Sequence, residues 1–157
     1  TSATPTYLEI QLNAAEGPLS TRNYRIKLQA VSVAPDRTFL HLTYAYGYGW
    51  MGRLAMKTYL ATIGSGKVGF TRTKSSDGRA SYIGGMRGLA ERNTMRYYLA
   101  IDAYLGALET ARPAQLDKRL HSWYDATERY ARQLHEVDKA DYLEMKRSEY
   151  RRQTQTR

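Results

Sequence analysis

The chain has 157 residues, 24 basic against 15 acidic side chains and a formal net charge of +9, and it is long enough to bury a core without covalent staples. It contains no cysteine, which excludes disulfides, thiolate metal sites and cysteine nucleophiles. No apolar run approaches the roughly 18 residues that a membrane-crossing helix requires.

The first residues, TSATPT, carry neither an initiator Met nor a charged-then-apolar leader, an opening compatible with a processed chain in the periplasm or outside the cell. Period-two alternation follows. Over residues 6–13, Leu8, Ile10 and Leu12 oppose Tyr7, Glu9 and Gln11; over 23–34, Tyr24, Ile26, Leu28 and Ala30 oppose Arg25, Lys27 and Gln29. Successive strand side chains point to opposite faces, so this pattern predicts half-buried antiparallel strands. The segment EGPLS separates the two, and the turn chemistry of APDR at 34–37 precedes a third strand.

That strand, 38–48, places Leu40, Leu42, Tyr44, Tyr46 and Tyr48 on one face. Ala45, Gly47 and Gly49 leave the other face bare, and glycine in a strand marks a bend or a close approach. A short helix is predicted over 51–63. A hairpin of strands 67–73 and 79–88 then turns at Asp77-Gly78. Three helices complete the chain: 93–108, with Tyr97, Ile101, Tyr104, Leu105 and Leu108 as its stripe; 114–134, started by Pro113; and a charge-rich helix from Asp138 to about residue 152.

Residues 64–69, GSGKVG, match the dinucleotide pattern GxGxxG in letters only. The pattern needs a strand before it and a helix after it, so that a helix N-terminus holds the pyrophosphate; here the predicted order is the reverse. Ala61 and Val68 also break the Walker loop. The stretch reads as a turn. His41, His121 and His135 lack the spacing of a zinc site, calcium signatures are absent, and no cofactor is expected. Asp102 lies among Met95, Tyr98, Leu99, Ile101 and Leu105, where a buried carboxylate needs a cation such as Arg53, Arg72 or Arg87. His41 and Asp102 are the candidate polar contacts to a ligand; the plainer readings are a structural or surface histidine for His41 and a structural salt bridge or simple exposure for Asp102. No catalytic signature accompanies them, and an enzyme using His41, Asp102 and a tyrosine as acid–base groups stands as an alternative.

Charge is uneven. Between Arg53 and Arg96 nine basic residues face two acids, Asp77 and Glu91. Such a stretch attracts polyanions through a salt-sensitive field.

The order of strands, the YAYGYG strand and the run YIGGMRGLAERNTMRYYLAIDAYLGAL resemble the later part of a START or Bet v1-like domain of the SRPBCC superfamily, over about residues 6–108. The chain departs from that pattern in the strand and short helices that the family has before the meander, in the helix at 51–63, and in two further helices after Pro113. The resemblance implies an apolar tunnel between a sheet and a long helix.

The expected fold is α+β: a curved antiparallel sheet of about five strands packed on the helix 93–108, with two more C-terminal helices. It is read as one domain, with 6–110 giving sheet and packing helix and 111–157 a helical extension. The expected function is non-catalytic binding of a small hydrophobic molecule or lipid. Leu40, Leu42, Tyr44, Tyr46 and Tyr48 would form one wall and Tyr97, Ile101, Tyr104 and Leu105 the other. Trp50, Met51, Arg53 and Lys57 would form a rim that meets an anionic membrane surface. Two further alternatives stand beside the enzyme. One is a nucleic-acid-binding module using the hairpin 67–87, with Tyr48, Phe70 and Tyr82 as stacking platforms. The other is an assembly protein docking through its C-terminal helices. The sequence fixes no oligomeric state.

Overall fold

Alternating apolar and polar side chains between Tyr7 and Tyr48 produce a meander in the computed structural model, which describes residues 1–17, 21–49, 57–58, 62, 66–74 and 78–155. Strands β1 (Ser2–Thr4), β2 (Tyr7–Gly17), β3 (Thr21–Ala34) and β4 (Arg37–Tyr48) form one antiparallel sheet in the order β1-β2-β3-β4. The register pairs Ile10 with Leu28 and Leu28 with Leu42, and it pairs Ile26 with Tyr44, so the apolar positions of three strands share one face. Glu9, Gln29 and His41 pair across the opposite, polar face. The register shifts between Arg22 and Arg25, where Asn23 has a φ of 53°. This is a bulge with its left-handed residue supplied by a side chain that tolerates that region.

The chain divides into two compact units, Thr1–Gly66 and Lys67–Arg157. The first holds the four-stranded sheet. The second holds a hairpin of β5 (Arg72–Lys74) and β6 (Ala80–Tyr82), then helices α1 (Gly85–Leu105), α2 (Arg112–Glu128), α3 (Ala131–Leu134) and α4 (Lys139–Gln155). Among the described residues, no helix is long and apolar enough to cross a membrane.

The α+β class is therefore present, but the fold is not a close match to a five-stranded helix grip. The hairpin makes its own two-stranded sheet instead of extending the meander. The strand expected over 79–88 stops at Tyr82, and α1 begins at Gly85, eight residues before Asn93. The reason lies in helical spacing: Leu89, Arg92, Leu99 and Ala103, all buried, continue one inward face well ahead of Asn93. Pro113 sits in the first turn of α2, where its missing N–H costs nothing. The helix expected over 114–134 is broken at Arg129 and Tyr130 into α2 and α3. The helix expected over 51–63 lies, apart from Lys57, Thr58 and Thr62, outside the described residues.

The core of the second unit is built on Leu99, Ala126 and Leu134, against which Phe70, Met95 and Trp123 pack. Close approach of the hairpin to α1 depends on two glycines. A Cβ on Gly69 would lie 2.9 Å from the Gly88 Cα, and one on Gly88 would lie 2.8 Å from the Ile83 carbonyl oxygen. The Gly69 amide donates to that same carbonyl at 2.6 Å. The last glycine of the GSGKVG stretch thus serves packing, as its misplaced position for a phosphate loop implies. Glu91 completes the join by accepting from the Phe70 and Thr71 amides at 2.7 and 2.9 Å and from the Thr71 hydroxyl at 2.7 Å.

Candidate functional site

On helix α1 two small residues, exposed Ala100 and buried Ala103, lie between two tyrosines. Tyr97, Ala100, Ala103 and Tyr104 recur at helical spacing, and the alanines leave room where larger side chains would fill it. Leu120 and Trp123 of α2 border the same space, as does Tyr142 of α4. Together with Arg96, Arg119 and Lys146 they line a groove of about 400 Å³, whose surface is almost wholly apolar. That volume is within the range of roughly 300–1,000 Å³ typical of small-molecule sites.

Its walls are held by specific contacts. The Trp123 indole N–H donates to the Arg96 carbonyl at 3.2 Å, and the Trp123 ring stacks on Tyr142 with centroids 5.0 Å apart. Burial, then the nearby Glu149 charge, pushes the Tyr142 phenol up to about 12, so it stays protonated at neutral pH. Gln115 donates to the Leu108 and Thr110 carbonyls, in the turn between α1 and α2, and accepts from Arg119 Nη2 at 2.6 Å. This holds the Arg119 guanidinium 4.0 Å over the Tyr104 ring centroid, a cation–π arrangement.

The three cations of the groove differ in their partners. Arg96 pairs with Glu136 at 2.5 Å and reaches the Leu134 carbonyl. Lys146 pairs with Glu149 at 2.8 Å. Arg119 pairs with no carboxylate among the described residues, and its Nε is buried without a hydrogen bond.

The residues singled out from the sequence fall in different places. Tyr97 and Tyr104 line the groove; Ile101 and Leu105 belong to the same helix but do not. Leu40, Leu42, Tyr44 and Tyr46 are half-buried on the apolar sheet face of the first unit. There Tyr24, Tyr44 and Tyr46 form a cluster with ring centroids 5.3–6.1 Å apart. Tyr48 ends β4. His41 lies on the polar sheet face and shares a hydrogen bond of 3.2 Å with Gln29. Trp50, Met51 and Arg53 lie outside the described residues, and Lys57 is exposed.

Asp102 is not a buried carboxylate. It is exposed and lines a polar groove between α1 and α2 with Lys118, Ser122, Asp125 and Arg129. The inward positions beside it are Leu99 and Ala103, one turn before and one residue after, which turns residue 102 to the flank. Phe70 packs inward against the Leu99 cluster, edge-on to Tyr130, so it offers no stacking platform. Tyr82 is half-buried and flanked by Arg72 and Arg132, at 5.5 and 5.0 Å from its ring centroid. His121 lies 3.5 Å from Asp117, and His135 lies 3.0 Å from Glu128. Among the described residues no group of acidic and histidine side chains is placed to hold a metal ion.

Sequence reasoning missed Arg96, Ala100, Ala103, Arg119, Leu120, Trp123, Tyr142 and Lys146 as site residues. The available signal was a pair of alanines at three-residue spacing between tyrosines, a gap in an otherwise bulky helix face. No family model, curated protein or solved structure matches the chain.

Proposed function

We propose that this protein binds a small, predominantly apolar molecule in the groove formed by α1, α2 and α4. The carrying observation is the groove itself: about 400 Å³, floored by Ala100 and Ala103 and walled by Tyr97, Tyr104, Trp123 and Tyr142. Aromatic walls supply large apolar area at low entropic cost, with hydroxyls at their edges to orient a polar group. The reading is of a binding site, in which Tyr142 keeps its proton at neutral pH and offers a neutral hydroxyl at the wall. This keeps the ligand class expected from the sequence and moves its site to a groove lined entirely by helices.

The test is a titration with phenylnaphthylamine, an uncharged fluorophore that brightens on leaving water. Wild-type protein should bind it saturably at one site. Ala100 is exposed and helical, so A100W fills the groove without entering the core. It should weaken binding at least roughly tenfold, about 1.4 kcal/mol. Unchanged affinity in A100W would remove the groove as the site.

A further inference from the structure

We infer that the ligand of this groove is an anionic amphiphile, an apolar body bearing one carboxylate, sulfonate or phosphate, and that Arg119 receives its charged group. The inference rests on the groove being a binding site, and it adds the chemistry of the occupant. Arg96 and Lys146 are neutralised by Glu136 and Glu149, whereas Arg119 meets no carboxylate among the described residues. Arg119 is half-buried in an otherwise apolar wall with no counter-charge beside it, so an anion there would gain a charge-assisted hydrogen bond without displacing a carboxylate.

The donor geometry indicates how that anion is met. Arg119 Nη2 is committed to Gln115, and Nε is closed off from solvent. Among the described residues Nη1 carries no hydrogen bond, and it is not closed off from solvent as Nε is, so it is the donor left free on a residue that lines the groove. The Tyr104 ring below and Gln115 behind fix the plane of the guanidinium, so little freedom is lost when an oxyanion accepts from it. The apolar body then lies along Ala100 and Trp123. Charge-assisted hydrogen bonds of this kind contribute about ten- to a hundredfold in affinity.

Two fluorophores that differ only by a sulfonate separate the possibilities: anilinonaphthalene sulfonate and phenylnaphthylamine. Both are titrated into wild type, R119Q and R119K, with thermal melts to establish folding. The inference predicts that R119Q weakens the sulfonate probe by about tenfold or more and leaves the neutral probe within about twofold, while R119K retains most of the sulfonate affinity. If both probes bind and R119Q changes them equally, the anionic assignment is overturned and the apolar groove stands. If neither probe binds wild type, the groove reading fails and the inference with it. Should R119Q not fold, R119M decides by the same reading: it removes the charge but keeps an apolar stem, and if it changes both probes equally the assignment is overturned.

Discussion

Glu91 joins the hairpin to helix α1, and its removal has a calculable cost. Its carboxylate accepts from the Phe70 amide, the Thr71 amide and the Thr71 hydroxyl at 2.7–2.9 Å. Arg87 stands 3.6 Å away but is mostly exposed and contributes little. Hydrogen bonds to a charged acceptor contribute roughly 1.5–3 kcal/mol each, and less where water replaces the partner. Thr71 is exposed and is rehydrated in E91A; Phe70 is half-buried and its amide is not easily compensated. The expected loss is about 2–3 kcal/mol, well below the sum of three bonds. Burial pushes the Glu91 carboxyl up, but the bonds from Thr71 and Phe70, with Arg87, more than offset it and hold it below its ordinary value of 4.5. A depressed acid contributes stability above its unfolded value, and that contribution is lost as pH falls through the folded one. Urea melts followed by the helical circular dichroism signal should therefore show the wild-type advantage over E91A intact at neutral pH. That advantage should shrink as pH falls below about 4.5. A loss under about 0.5 kcal/mol, or an advantage that does not change with acid, would refute the role assigned to Glu91.

Other parts of the second unit answer to the same kind of measurement. G69A places a methyl group 2.9 Å from the Gly88 Cα and 2.8 Å from Ile83 Cγ2, so it should lower stability by about 1–3 kcal/mol in urea melts. L99A, at a position 3 % exposed at the centre of the core, should cost about 3–4 kcal/mol, and a value below about 1.5 kcal/mol would mean that the cluster is not the core. Tyr142 predicts alkaline lability. Its proton is held from about 10 up to about 12 by burial and by Glu149, so its stabilising contribution is complete below 10 and lost as pH rises through 12. Y142F should flatten that dependence in alkaline melts.

The sheet was legible because its cause is local. Alternation in 7–48 is a direct record of which side chains share a face, and the register that puts Ile26 beside Tyr44 and Leu28 beside Leu42 follows from it. The short strand β1 left no such record, since Ser2–Thr4 has no apolar member beyond Ala3. The start of α1 was obscured by Gly84, Gly85 and Gly88, which read as strand punctuation. Their roles are in fact to begin a helix and to let Gly69 approach it. Tyr97 and Tyr104 were legible as site residues because bulky rings on a helix announce themselves. The groove between them was not, because a cavity is defined by what is missing at Ala100 and Ala103 and by partners from α2 and α4. Arg119 left only a faint signal: Gln115, Leu116, Ser122 and Trp123, its neighbours at helical spacing, include no acid, but whether a carboxylate reaches it from another helix is decided by tertiary packing.

Trp123 provides the most direct test, because it lines the groove and is one of only two tryptophans in the chain. In the variant W50F it becomes the sole indole, and its emission reports on the groove alone. Titrating phenylnaphthylamine into W50F should quench Trp123 by energy transfer, saturating at the same concentration at which the probe brightens. If the probe brightens while Trp123 emission stays unchanged, the ligand binds elsewhere and the assignment of function to this groove is wrong.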